Sequence, residues 1–350
     1  MGVKTLSCIL SAIALAAASS EACTVVVVGK NASTTGRVIV GHNEDDAGSV
    51  SMIHGLVPAR DWPAGSTMPA EKGCASIPQV PHTLGFFWSE AVESGRGIED
   101  ADAFLNERGV LIVSDSAGIS TIDTKDASRL ADGGIWYNLR RAVAERATSA
   151  REAVFIICEL VDRWGYVPSG RIYTVADANE GWQVQIASGK GHWAVERCPD
   201  DSIAVCPNHY TCRDAKRFQA PEWTNIAHNT NRQNFVTSRL LGREWRDESY
   251  PFSARAERKV SPEDVERALS AHPADWPRHE KDFDSPSACR AATVESIVCD
   301  FGERAEDTVL HVAGRRPCET GYRKIRPLAK PSPADFENAN AAERLANHLR

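Results

Sequence analysis

Thr24-Val25-Val26-Val27-Val28 is an unbroken run that is all β-branched, and such a run reads as a buried strand. Gly29 to Gly36 is rich in turn residues, and Arg37 to Gly41 reads as a second strand, so the two form a hairpin with a longer loop. The return strand runs on into His42-Asn43-Glu44-Asp45. A hairpin brings that polar end back beside the residue in front of the first strand, Cys23.

What precedes Cys23 is a different kind of sequence. Lys4 supplies a positive charge, Leu6 to Ala18 is apolar or small, and Ser20 and Ala22 are the small residues that a signal peptidase requires. Residues 1–22 are therefore expected to be a secretory signal peptide, with the protein exported. The apolar stretch falls short of the ~20 residues that span a bilayer. Two other readings stand beside this one: an uncleaved anchor, and a lipoprotein whose Cys23 carries a lipid. Lipoprotein signals want Leu three residues before the cysteine and a small residue next to it, and Ser20 and Glu21 depart from both requirements. A lipid there would also block the cysteine's amine.

The chain has ten cysteines, and Cys8 leaves with the leader. The remaining nine are an odd number, which in an oxidising compartment implies one free thiol. If that thiol is Cys23, the other eight allow up to four disulfides. Cys158, on an apparent helix face, could instead be a plain buried thiol. Cys206-x2-His209-x2-Cys212 could be half a metal site, but no second pair lies at zinc-finger spacing, and an exported chain favours a disulfide there. No metal and no organic cofactor is implied.

The net charge of -7 excludes a general binder of nucleic acid or of membrane surfaces, both of which need a positive patch. Beyond the first hairpin, residues 55–82 read as irregular, and Thr83 to Trp88 and Gly109 to Ser114 as strands. A helical pattern runs to Ala147. Ser149 and Glu152 open a second helix that buries Val154, Ile157, Cys158 and Val161 and stops at Gly165. Arg171 to Ala176 and Trp182 to Ala187 form a strand pair. Ile203 to Val205, Val294 to Asp300 and Thr308 to Val312 follow as strands, with a polar, helical or looped stretch over 222–290. Strands, two helices and strands again make this an α+β chain rather than an alternating one. The expected organisation is one domain over 23–328 and a loosely attached tail over 329–350. A homo-oligomer is compatible with the sequence.

A cysteine at the start of the mature chain would carry nucleophile and base on one Cα. Its thiolate would attack a carbonyl, and its α-amine, with a pKa of about 7.7–8.0, could take and return a proton near neutrality. The scheme also needs a group to hold the amine and donors for the oxyanion.

Cys23-Thr24 with its apolar strand, Val28-Gly29-Lys30-Asn31-Ala32-Ser33 and the return strand ending Asn43-Glu44-Asp45 closely resemble the dipeptidase-A and secernin family, N-terminal-nucleophile hydrolases with a cysteine nucleophile. Ile77 to Thr83, Asn106 to Val110, Glu145 to Tyr166, Ala176 to Glu180 and Val205 to Asn208 look like the same family, so the similarity covers roughly 23–212. From Cys289 to Cys318 the chain looks more like the acyltransferases that process penicillin precursors, which share fold and nucleophile. The resemblance implies a four-layer αββα sandwich and hydrolysis of a dipeptide or short peptide, with an acyl-amide amidase or acyltransferase as the alternative.

By motif, Cys23 would be nucleophile and, through its amine, base. Asp45 would orient the amine, Asn208 would donate to the oxyanion, and the backbone N–H of Ser116 would add a second donor. His42 stands where the family usually has arginine before Asn-Glu-Asp, and it supports a thiolate less well than a guanidinium does. His42, Asn43 and Ser116 are thus the expected substrate or transition-state contacts. Glu44 reads as structural. Arg239 and Arg255 are both open as the missing cation.

Overall fold

Thr24–Val28 is strand β1, buried at all five positions, and it pairs antiparallel with β2 (Ile39–Asp45), as the hairpin reading expects. The computed structural model describes residues 23–46, 51–68, 70, 72–92, 101–122, 126–220, 226–274, 279 and 285–329. The expected leader and residues 330–350 of the expected tail lie outside them.

Six further strands precede the first helices: β3 (Ser51–Val57), β4 (Arg60–Asp61), β5 (His82–Thr83), β6 (Phe86–Val92), β7 (Ala101–Asn106) and β8 (Leu111–Ser116). Helices α1 (Asn138–Arg146) and α2 (Ala150–Trp164) follow. Then come β9 (Tyr166–Ala176), β10 (Gly181–Gly189), β11 (Trp193–Arg197) and β12 (Ser202–Cys206). The last part holds α3 (Ile226–Leu241), β13 (Ala254–Arg255), α4 (Pro262–Ser270), β14 (Thr293–Asp300), β15 (Val309–Ala313), α5 (Pro317–Thr320) and β16 (Arg323–Ile325). The strands make two seven-stranded sheets, β13-β12-β1-β2-β14-β15-β16 and β11-β10-β9-β8-β7-β6-β3, with β4 and β5 apart as a small ribbon.

Side-chain alternation explains the layering. Val25, Val27, Val38 and Val40 meet Phe87, Val113 and Ile172 in a core between the sheets. The alternate residues Val26, Val28 and Ile39 face Val236 and Leu240 of α3 and Val265 and Leu269 of α4. On the second sheet, Ile112, Tyr173 and Val175 face Leu139 and Val143 of α1 and Ile157 and Val161 of α2. The result is the expected αββα order. It also explains why β1 has no polar face: each side of it is a core.

Two local details set the packing around the end of β2. A Cβ on Gly41 would lie 2.4 Å from Val265 Cγ1, so glycine lets α4 sit directly on the strand. The second helix is capped as expected: Ser149 Oγ accepts from Glu152 N at 3.2 Å, and Gly165 ends the helix at φ 81°. Glu152 departs from a full capping box, since its Oε2 accepts from Thr148 N at 2.8 Å rather than from the cap residue.

Strands β3 and β7 differ from the sequence expectation. Ala101-Asp102-Ala103-Phe104-Leu105-Asn106 has little β propensity and is a strand because β6 and β8 pair with it on both sides. The segment expected to be irregular begins inside β3, whose pairing with β6 supplies what its own sequence does not signal.

Candidate active site

The register places the cysteine. Thr24 pairs with Asn43 and Val25 with His42, so one step further sets Cys23 beside Glu44. On the other flank Val25 pairs with Cys206, and the same register extended leads Cys23 to Asn208, just past β12. Parity turns Cys23, His42 and Glu44 toward the second sheet, where β8 offers Asp115 at its end. Cys23, His42 and Asp115 are all buried.

Cys23 Sγ donates to Glu44 Oε2 at 3.3 Å, and Asp45 N donates to Cys23 Sγ at 3.5 Å. His42 Nε2 lies 3.0 Å from Asp115 Oδ1 and 3.9 Å from Glu44 Oε2. Burial pushes the Cys23 thiol well above the ordinary cysteine range, Glu44 and Asp115 push it further, and a hydrogen bond and charge from His42 pull it back. With Ala22 joined, Cys23 is therefore held as a protonated thiol. A positive α-ammonium created on the same Cα would act in the opposite direction.

A buried cation within electrostatic reach of this sulfur is Arg232, on α3. It is fully buried, and its Nη2 donates to Asn208 Oδ1 at 2.7 Å and to Asn229 Oδ1 at 2.8 Å. Burial first, and then the charge of Arg290, push its guanidinium down to about 9; Asp45, Cys23 and Asp115 hold it up. It therefore remains a cation at neutral pH, and the charges of Asp45, Cys23 and Asp115 act on it. Neighbouring His228 is pushed down to about 3 by burial and by Arg232 and Arg290, so it is neutral there.

This corrects the sequence expectation for the missing arginine. Arg255 is exposed and paired with Asp201 at 3.1 Å, and Arg239 is exposed with its guanidinium over the Phe235 ring. Arg232 went unseen because no motif marks it. Its only sequence signal is a charged residue on the buried face of a helix.

Three further assignments change. Glu44, read as structural, is the nearest carboxylate to the thiol. Asp115 went unread, although it lies beside the predicted Ser116. Asn43, read as a substrate contact, points the other way: its Nδ2 donates to Leu269 O at 3.1 Å and Ala288 O at 3.0 Å, pinning the end of α4 and the approach to β14.

Of the other expected residues, Asp45 is buried on the β2–β14 seam, where its Oδ1 accepts from Thr293 Oγ1 at 2.6 Å. Asn208 and Ser116 are brought together, with Asn208 Nδ2 donating to Ser116 O at 3.0 Å. That amide nitrogen has a second hydrogen to offer an oxyanion.

All nine cysteines among the described residues are free thiols, so the disulfide expectation is not met. Cys198, Cys206, Cys212 and Cys299 pack as small apolar groups between the sheets, and Cys158 lies on the buried face of α2 itself. Cys206 lies 3.4 Å from Thr211 Oγ1, and His209 beside it is pushed down to about 3 by burial.

The model of peptidase family C69 matches residues 22–244. The chain belongs to that family. It is 30% identical over 196 residues to a probable dipeptidase B of Streptococcus pyogenes serotype M3, covering 55% of this chain and 38% of that one. It is 23% identical over 292 residues to a probable dipeptidase of Latilactobacillus sakei, covering 72% and 60%. The chain thus spans less than two thirds of the length of these curated relatives. A solved variant of conjugated bile acid hydrolase from Clostridium perfringens aligns with a TM-score of 0.48 at 10% identity, over 89% of this chain and 95% of that one.

Proposed function

We propose that this peptidase-family chain is a cysteine N-terminal-nucleophile hydrolase of amide bonds, acting on dipeptides or short linear peptides. The observation that carries the reading is the setting of Cys23: buried where the ends of β1 and β2 face the second sheet, with Glu44 hydrogen-bonded to its sulfur, His42 and Asp115 acting on it, and Arg232 within electrostatic reach. Cleavage after Ala22 would free the amine and activate the thiol, consistent with export.

The freed amine would take the thiol proton, and the thiolate would attack the carbonyl carbon. One amide N–H of Asn208, with a backbone N–H near Ser116, would meet the oxyanion. The C–N bond would break with the proton passing to the leaving nitrogen, leaving a thioester that water hydrolyses. Asp45, tied to Thr293, would hold the amine. Arg232 would stabilise the negative charge that develops on the sulfur and would fix the Asn208 amide. The acidic side chains around the thiol suit a substrate that brings a free amine, which favours dipeptides over acyl amides.

The test is hydrolysis of dipeptide and acyl-amide panels by the chain beginning at Cys23 and by its Cys23→Ser variant. The variant should lose at least ~100-fold in rate, since a serine hydroxyl is much the weaker nucleophile near neutral pH. An unchanged rate removes Cys23 from the mechanism. A preference for acyl amides would move the chain to the amidase reading.

A further inference from the structure

His272, His279, Cys289 and Cys318 converge although they lie far apart in sequence, and their ligand atoms all fall within 4.8 Å of one another. Cys289 is buried, and the other three are half-buried. We propose that these four residues form a structural zinc site. It stands whether or not Cys23 is a nucleophile.

Two edges of the cluster have the length that tetrahedral zinc requires, and the others fall within 4.8 Å. Bond lengths of about 2.3 Å to sulfur and 2.0–2.1 Å to nitrogen put sulfur–nitrogen edges at about 3.5 Å around tetrahedral zinc. His279 Nε2 lies 3.6 Å from Cys289 Sγ and 3.5 Å from Cys318 Sγ. The outer contacts are those of metal-bound imidazoles. His279 Nδ1 faces Glu319 Oε1 at 3.2 Å, a carboxylate that fixes the ring and raises its basicity, and His272 Nδ1 faces Ser287 Oγ at 3.3 Å. Two sulfurs and two imidazole nitrogens in this arrangement select zinc over calcium or magnesium, which take oxygen ligands. Zinc binding would release the two thiol protons, because the ligands are thiolates.

The site would clamp the approach to β14. Ala288 O accepts from Asn43, and Arg290 N donates to Thr293 Oγ1, which in turn donates to Asp45. Cys289 sits between these anchors, so the metal would tie the β2 end of the active site to the α5 turn that carries Cys318.

The experiment is elemental analysis of the chain beginning at Cys23, purified from zinc-supplemented medium without chelator. About one zinc per chain is expected. Cys289→Ser and Cys318→Ser should lose it, and Cys23→Ser should keep it. Glu319→Gln should weaken zinc affinity by about 10–100-fold. If the cysteine variants fail to fold, cobalt(II) exchanged into the unsubstituted chain decides: tetrahedral bands with thiolate charge transfer support the site. A metal-free protein that takes up neither ion, a Cys289–Cys318 disulfide in the folded protein, or zinc lost only with Cys23→Ser would each overturn it.

Discussion

Among the described residues, two clusters pair cysteine with histidine at ligand spacing: Cys23 with His42 and Glu44, and Cys289 and Cys318 with His272 and His279. Their surroundings differ in kind. The first has a single sulfur beside carboxylates, with a buried guanidinium within electrostatic reach, and its imidazole is engaged by Asp115 at 3.0 Å. The second has two sulfurs sharing one imidazole nitrogen, with a carboxylate behind the ring. A sulfur whose thiolate can be switched on by a nearby charge suits a nucleophile. Paired sulfurs facing paired imidazoles suit a resident metal. The two proposed roles are separated by the charges around each sulfur and not by burial, since Cys23 and Cys289 are equally buried.

Arg232→Met should separate the clusters most forcefully. It leaves Asn208 and Asn229 without their donor and the nearby carboxylates without a counter-charge, at a cost of about 3–5 kcal/mol. Denaturant unfolding measures this, and activity should fall with it while bound zinc stays near one equivalent. Loss of zinc together with Arg232 would mean that the two sites are one unit.

Acid should act through groups outside both clusters. His209 and His228 are each pushed down to about 3, so the folded state binds fewer protons than the unfolded chain between that value and an unfolded pKa of about 6.5. Stability contributed by their neutral forms is present above about 6.5 and is lost as pH falls toward 3. The melting temperature should drop over this window, and His209→Gln should make the slope shallower. An unchanged slope would show that His209 contributes nothing to the acid response.

Asn43→Ala probes the strap between the clusters. Removing two buried hydrogen bonds to Leu269 O and Ala288 O should cost about 1–3 kcal/mol, seen in thermal melts, with KM for a dipeptide unchanged. A raised KM with intact stability would restore Asn43 as a substrate contact. Arg255→Ala and Arg239→Ala should have the smallest effect, within about 0.5 kcal/mol and with no change in kcat, because both side chains are exposed.

Much of the fold could be read from residues 24–45, because an all-β-branched strand followed by a turn and a polar-ended return admits little else. The capped second helix and the strand pair around Asp177 to Gly181 were equally plain. β7 was not, since alanine and aspartate signal no strand until neighbours pair with them. At the site, Cys23, Asp45, Asn208 and Ser116 were reachable because a motif or a register carries them. Arg232, Asp115 and the Cys289 cluster were not, because their partners come from distant elements and the fold alone assembles them. Asn43 was misread because adjacent residues on a strand point to opposite faces, and a motif read as a string hides that alternation.

The proposed chemistry requires that the working protein begin with an unblocked cysteine. Intact and N-terminal peptide mass spectrometry of purified, active protein tests it most directly. The expected result is a chain starting at Cys23 with a free amine, whose selective methylation abolishes turnover. Full activity in a chain with Ala22 still attached, or with a lipid or other adduct on that amine, would contradict it.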